Sequence, residues 1–118
     1  QTPWNEAMTW LKAQPDHWHV LADPDHAWKY GVSVRLAATK DTVLESVKDS
    51  ALSLYDRNIA SRVAARTRDL VDYDRLTTVR ARRLGTAYDL DVIIVEVHHV
   101  LDLPVLYRNE RFVIYAVR

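Results

Sequence analysis

The 118-residue chain contains no cysteine. This absence excludes a disulfide scaffold, catalysis by a thiol, and any zinc or iron–sulfur site built from cysteine ligands. Glycine is almost as scarce, because Gly31 and Gly85 are the only two. A glycine-rich loop that cradles phosphate and the Gly-x-Ser-x-Gly turn of the α/β-hydrolases are therefore both missing. Nucleotide folds that depend on close backbone approach are accordingly not expected.

Neither sign of charge is in excess, because 16 Lys and Arg residues face 16 Asp and Glu residues. That balance argues against a general nucleic-acid-binding protein, which usually carries a strong basic excess. Long apolar runs are missing too. The longest is 92–95, far below the ~20 residues that cross a bilayer, and the first residues lack the features of a signal peptide. The remaining composition, 48% hydrophobic and 27% charged, is typical of one folded soluble domain over 1–118.

The hydrophobic periodicity predicts helices that alternate with strands. A first helix is expected from Pro3, capped by Thr2, with an apolar face of Trp4, Ala7, Met8 and Leu11. Further helices are expected over 24–30, along an apolar stripe from Val43 to Leu70, and after a cap at Asp72 or Asp74. The segments that favour strands are 17–22, 32–37, 91–97, 103–108 and 111–117.

Two of these strand segments indicate how the sheet is built. The run Val92-Ile93-Ile94-Val95 does not alternate with polar residues, which is typical of a strand covered on both faces. A tight turn at Asn109-Glu110 predicts an antiparallel hairpin at the end of the chain. We therefore expect an α/β fold: a three-layer Rossmann-like domain whose sheet is mostly parallel and ends in a C-terminal antiparallel hairpin.

Polar side chains lie at the carboxyl ends of three of the predicted strands. Because the carboxyl ends of parallel strands meet at one edge of a sheet, where open α/β folds bind ligands, we expect these side chains to share a binding edge. Carboxylates and imidazoles of this kind can bind divalent metals, but no metal-binding spacing on a helix is present, so we predict no metal and no cofactor. In the alternative interpretation these residues lie in solvated loops, and Asp23 and Asp41 cap helices. The side chains are Asp25, His26, Lys40, Glu96, His98 and His99.

The segment from His26 to Tyr30 is both aromatic and polar. Trp28 offers a flat apolar face for a sugar or a lipid-linked group, while Lys29 and Tyr30 offer hydrogen-bonding groups. In the competing interpretation Trp28 is a core residue. A second feature is a group of eight arginines over 57–83, which could face phosphate head groups or an acidic partner, or could form a solvated helix face.

Several of these segments together resemble the C-terminal soluble domain of bacterial multi-pass membrane proteins related to GT-C-type glycosyltransferases. The resemblance covers nearly the whole chain, and most of the residues that carry it are fold-forming. In that family the domain follows the last membrane helix and lies outside the cytoplasm, beside a catalytic site in the membrane part. The segments are Trp4, Trp10-Leu11, 21–24, 26–31, 88–95, 103–109 and 112–115.

One of these segments, Trp28-Lys29-Tyr30-Gly31, is also similar to the Trp-Asp-Tyr-Gly signature of oligosaccharyltransferase catalytic subunits. That signature helps to bind the hydroxyl residue of the acceptor. Here the acidic position is Lys29, which has no acceptor capacity, and Ala27 replaces the preceding Trp. The similarity therefore implies the location of a substrate-facing loop and not the peptide-acceptor function.

The resemblance implies a non-catalytic extracytoplasmic accessory domain of a polytopic membrane protein related to glycosyltransferases, attached to the cell membrane. Its expected partner is the membrane-embedded part of the same chain. A start at Gln1 favours a domain excised from such a larger protein. The alternative is a stand-alone small α/β ligand-binding or enzyme domain that uses the carboxyl edge of its sheet. A protein-interaction module is a third interpretation.

Overall fold

The computed structural model describes residues 2–42 and 72–118. The helical stripe predicted from Val43 to Leu70 lies outside the described residues, as do the arginines between 57 and 68. The described helices are α1 (Pro3–Lys12), α2 (His26–Tyr30), α3 (Val34–Ala37) and α4 (Thr78–Ala87), with a 3₁₀ turn over Tyr73–Arg75. The strands are β1 (His19–Leu21), β2 (Asp41–Thr42), β3 (Val92–Glu96), β4 (Val105–Arg108) and β5 (Phe112–Ala116).

The five strands form one mixed sheet in the order β2-β1-β3-β5-β4. Strand β1 is parallel to both β2 and β3. Strand β5 is antiparallel to both β3 and β4, so the predicted C-terminal hairpin is confirmed. The molecule is therefore a small α/β domain with a mixed sheet: two of the pairings between the described strands are parallel and two are antiparallel, so the prediction of a mostly parallel sheet is wrong.

The central strand β3 sends successive side chains into two separate apolar clusters. Val92 and Ile94 pack with residues of α1 and α3, whereas Ile93 and Val95 pack with residues of α4 and with Tyr73. All four side chains are buried. The uninterrupted apolar run correctly predicted a strand that is covered on both faces.

Helix α1 forms as the sequence predicts. The hydroxyl of Thr2 accepts a hydrogen bond from the backbone N–H of Asn5 at 3.1 Å, and Pro3 occupies the first turn, where its missing N–H costs nothing. The buried face consists of the four predicted residues, Trp4, Ala7, Met8 and Leu11. Its burial against the sheet stabilises a helix too short to persist alone.

The strand predicted over 32–37 is wrong. Residues Val34–Ala37 form the short helix α3, and the second strand is Asp41–Thr42. The local alternation is overridden because His26 accepts a hydrogen bond from the backbone N–H of Val34 at 3.1 Å. That bond holds the chain where α3 starts, and the backbone then bonds from Ala37 back to Ser33 at 2.8 Å.

The cap predicted for the next helix is also wrong. Helix α4 begins after Thr77, whose hydroxyl accepts from the backbone N–H of Arg80 at 3.2 Å. Asp72 instead begins the 3₁₀ turn, with a left-handed backbone at φ 58°. Both Asp72 and Thr77 suit a cap. Tertiary packing decides between them, because the turn lets Tyr73 and Leu76 enter the core.

Candidate functional site

A cleft of about 360 Å³ lies at the carboxyl ends of β1 and β3. In the strand order β2-β1-β3, the chain passes from β1 to β2, its neighbour on one side. It later returns as β3, the neighbour of β1 on the other side. Such a point, where the strand order reverses, is the usual ligand site of open α/β sheets. Its lining consists of residues from five segments: Trp4, Ala22, Asp23, Trp28, Lys29, Tyr30, Tyr73, Asp74, Ile94, Val95, Glu96, His98, His99, Arg111 and Phe112.

The first wall of the cleft is the segment that follows β1 and continues into α2. Asp23 uses both carboxylate oxygens within this segment: one accepts from the backbone N–H of Asp25 at 2.9 Å, and the other pairs with the ammonium of Lys29. The hydrogen bond to Asp23 raises the pKa of Lys29 above its ordinary 10.5. Lys29 is therefore a charged hydrogen-bond donor whose charge is already balanced.

Trp28 stands at the rim of this wall with 81% of its surface exposed. It is the most exposed of the large hydrophobic side chains in the described residues. Its neighbour Tyr30 is half-buried and stacks on Trp4 with ring centroids 4.7 Å apart. The wall thus offers one aromatic ring to solvent and holds a second ring against the core.

The second wall is formed by the end of β3 and the start of β5. The guanidinium of Arg111 donates to Glu96 at 3.2 Å and lies 5.2 Å from the centroid of the Tyr30 ring. His98 is mostly exposed, and its Nδ1 is 3.8 Å from the second oxygen of Glu96. Burial and then the Glu96 carboxylate raise the pKa of Tyr30. The Tyr30 hydroxyl consequently stays protonated as a donor at neutral pH.

The floor of the cleft is closed by Tyr73 from the 3₁₀ turn. Its hydroxyl donates to the carbonyl of Ile94 at 2.7 Å and lies 3.4 Å from the carbonyl of Leu21. It thereby satisfies backbone oxygens at the place where β1 ends and β3 continues. Burial raises the pKa of Tyr73 well above its ordinary value, so this hydroxyl is a fixed structural donor.

The cleft is polar but close to neutral. Lys29 and Arg111 are each paired with a carboxylate, and the other carboxylate of the lining is the exposed Asp74. Such paired groups can still share their remaining donors and acceptors with a ligand, but they present little net charge to it.

Six of the nine predicted binding residues line this cleft, namely Trp28, Lys29, Tyr30, Glu96, His98 and His99. Asp25 is exposed and is not among the lining residues. His26 is fully buried behind the wall, and backbone groups engage both ring nitrogens.

The placement of Lys40 at this edge is wrong. Because the second strand starts at Asp41 and not at Val32, Lys40 precedes the strand and lies at the opposite, amino edge of the sheet. Its side chain is buried. The ammonium donates to the carbonyl of Lys12 at 3.3 Å, at the end of α1, and lies 3.6 Å from a carboxylate oxygen of Asp16.

Comparison of this chain with protein-family models, with curated proteins and with solved structures finds no match.

In the described parts of the chain, no helix has the length and apolarity that a membrane span requires. Within residues 2–42 and 72–118, no three His, Asp or Glu side chains converge as metal ligands. Two carboxylates of the cleft, Asp23 and Glu96, instead pair with Lys29 and Arg111.

Sequence reasoning missed Arg111, Tyr73 and Asp74 as lining residues. Arg111 could be found only once β5 was known to pair with β3, because Glu96 then lies opposite Phe112 and Arg111 directly precedes Phe112. Tyr73 carried no comparable signal. It reaches the floor from a 3₁₀ turn that no local pattern predicts.

Proposed function

We propose that this domain binds a small, uncharged polar ring, of the sugar type, in the cleft between β1 and β3. The observation that carries the proposal is the exposed ring of Trp28 beside two ion pairs whose charges cancel. A flat apolar ring can cover the C–H face of a sugar, while paired carboxylates and cations bond its hydroxyl groups. The volume of about 360 Å³ is within the range of small-ligand sites.

The charge balance favours a neutral ligand over an anionic one. A phosphate-bearing ligand would have to separate Lys29 from Asp23, or Arg111 from Glu96, before it gained a full cation. It would also approach the carboxylate of Asp74 on the same lining. A hydroxyl group needs no such separation, because it accepts from one member of a pair and donates to the other.

The test is a titration of the ¹⁵N-labelled domain with glucose, mannose, galactose and N-acetylglucosamine, followed by NMR. Binding predicts shifts of the Trp28 indole N–H and of the amides of Lys29, Glu96 and Arg111, with those of α4 unchanged. Glucose 6-phosphate serves as the charged comparator and should bind no more tightly than glucose. If no sugar shifts these signals at millimolar concentration, or if the phosphate binds much more tightly, the proposal fails.

Two variants separate stacking from a general surface effect. Trp28→Ala should abolish the shifts, whereas Trp28→Tyr should retain a weakened response because an aromatic face remains. The matched control is Val79→Ala, which removes an exposed apolar side chain from α4, outside the lining. Equal loss in the Trp28 and Val79 variants would contradict stacking on Trp28.

We further propose that the domain is a non-catalytic extracytoplasmic accessory domain of a polytopic membrane protein related to glycosyltransferases. The exposed Trp28 supports this, since tryptophan is enriched where proteins meet the membrane interface. The test is the open reading frame that encodes Gln1. Several apolar spans upstream would agree with the proposal, and a short frame without them would favour the stand-alone binding domain.

We also propose that the helices and the sheet form a three-layer Rossmann-like arrangement. The support is that residues of α1 and α3 share one apolar cluster with β3, while residues of α4 share the other. An experimental structure of the whole chain tests this, and helices confined to one face of the sheet would contradict it.

A further inference from the structure

His26 connects three segments behind the first wall of the cleft. Its Nδ1 lies 2.8 Å from the carbonyl of Asp23, and its Nε2 lies 3.1 Å from the backbone N of Val34. The side chain is fully buried, and its ring centroid is 5.8 Å from that of Trp4. One imidazole thus joins the end of the β1 segment, α2 and the start of α3.

The two backbone partners determine which nitrogen of His26 carries the proton. A carbonyl can only accept, so Nδ1 must donate to Asp23. A backbone N–H can only donate, so Nε2 must accept from Val34 and must be unprotonated. The neutral ring with its proton on Nδ1 satisfies both contacts, and the doubly protonated ring cannot satisfy the second.

Besides His26, the segment is held by the Asp23–Lys29 ion pair and by the stacking of Tyr30 on Trp4, and its helix adds little order of its own. Helix α2 contains five residues, is followed by Gly31 with φ 99°, and lacks a side-chain cap at its start. A helix of this length does not persist by its own hydrogen bonds. It nevertheless carries Trp28, Lys29 and Tyr30 into the lining of the cleft.

We propose that His26 is the positioning residue of the cleft, and that its protonation releases the segment from Asp23 to Tyr30. The protonated ring places an N–H against the N–H of Val34, so acid breaks the connection to α3. The consequence for ligand affinity rests on the proposed function, whereas the release itself does not. The cleft would then be formed at neutral pH and opened in acid.

Some charged groups near His26 favour protonation of its ring, and others oppose it. Asp23 and Asp25 on its own segment favour the protonated ring, but Asp23 is paired with Lys29 and Asp25 is exposed. Across the cleft, Glu96 is paired with Arg111. Arg35 on α3 bonds the carbonyl of Thr42, and on α1 the contact is the uncharged ring of Trp4, while Glu6 and Lys12 are exposed. The loss of the hydrogen bond from Val34 therefore determines that protonation of His26 loosens the segment.

The release can be tested by NMR without any ligand. At neutral pH the ¹⁵N shifts of the His26 ring should show a protonated Nδ1 and an unprotonated Nε2, and the Val34 amide should be protected from hydrogen exchange. As His26 titrates, exchange at Val34, Lys29 and Tyr30 should accelerate at least about tenfold, with Ile93 and Val113 still protected. Titration without that acceleration, the opposite tautomer, or no titration before the whole domain unfolds would overturn the proposal.

Substitution separates positioning from plain structural support. His26→Gln keeps an amide that can replace both hydrogen bonds but cannot titrate, so it should preserve the neutral-pH spectrum and abolish the acid response. His26→Ala should accelerate exchange in the segment at every pH. The matched control is His17→Gln, at an exposed histidine before β1, which should leave the acid response unchanged. An acid response that persists in His26→Gln contradicts the proposal.

A glucose titration at neutral and at acid pH then links the release to binding. The wild type should lose at least about tenfold in affinity in acid, and His26→Gln should not. If the release occurs but glucose and the other sugars bind at neither pH, the positioning role stands and the proposed function fails. If sugars bind with equal affinity in wild type at both pH values, the role of His26 in the cleft is wrong.

Discussion

Four tryptophans lie within the first 28 residues, and the structure gives them different surroundings. Trp4 is 2% exposed, and its indole N–H donates to the carbonyl of Val32 at 2.8 Å. Trp10 and Trp18 are half-buried, and their ring centroids lie 6.4 Å apart. Trp28 is exposed at the rim of the cleft. Truncation of the tryptophan side chain should therefore lower stability at position 4 and leave it nearly unchanged at position 28.

At the residue scale, Trp28→Ala should leave the melting temperature nearly unchanged. An exposed side chain has little packing to lose, and surface substitutions usually stay within ~0.5 kcal/mol. Trp4→Ala, the matched buried position, should cost ~3–5 kcal/mol. Thermal melts of the three proteins decide the matter. A large loss of stability in Trp28→Ala would mean that Trp28 packs in the core, and the sugar site would have to be abandoned.

At the scale of elements, Gly85 determines how closely α4 approaches the end of the sheet. A Cβ built on Gly85 would lie 2.2 Å from a methyl group of Val117. Helix propensity alone would favour alanine there by about 1 kcal/mol. The close approach reverses this preference, because overpacking costs ~1–3 kcal/mol.

Gly85→Ala should therefore destabilise the domain, and adding Val117→Ala should recover most of the loss. The measurement is urea unfolding of the two single variants and the double variant as a thermodynamic cycle. A single Gly85→Ala variant at least as stable as the wild type would show that the chain around Val117 moves aside without cost.

The central strand gives a second prediction at this scale. Ile94 is 3% exposed between β1 and β5, so Ile94→Asp would bury a carboxylate without a partner. We expect it to abolish soluble expression. Val79→Asp, at an exposed valine in the first turn of α4, is the control, and it should express normally because an acid suits a helix N-terminus. A well-folded Ile94→Asp domain would contradict the position of β3 in the sheet.

At the scale of the whole molecule, the purified domain should contain no stoichiometric divalent metal. Two of the three carboxylates in the cleft lining, Asp23 and Glu96, pair with Lys29 and Arg111, and backbone groups engage both ring nitrogens of His26. Elemental analysis of the protein purified without chelator tests this. One equivalent of zinc or calcium per chain would contradict it and would require ligands other than those described here.

The local elements that could be predicted are those whose cause lies within a few residues. The cap at Thr2 with Pro3, the left-handed stop at Gly31 and the turn at Asn109-Glu110 all follow from short-range chemistry. The cleft was predicted in part for the same reason. Trp28 follows β1 and Glu96 ends β3, and the carboxyl ends of both strands could be inferred from the order of elements.

The sequence by itself determined the absences and the local signals: no thiol chemistry, no glycine-rich phosphate loop, a doubly covered central strand and a terminal hairpin. Only the tertiary structure decided that 34–37 is helical, that Lys40 lies at the far edge, and that Arg111 and Tyr73 enter the cleft. The physical reason is distance along the chain. Arg111 meets Glu96 across 15 residues and Tyr73 meets Ile94 across 21, and hydrophobic periodicity carries no information about such contacts.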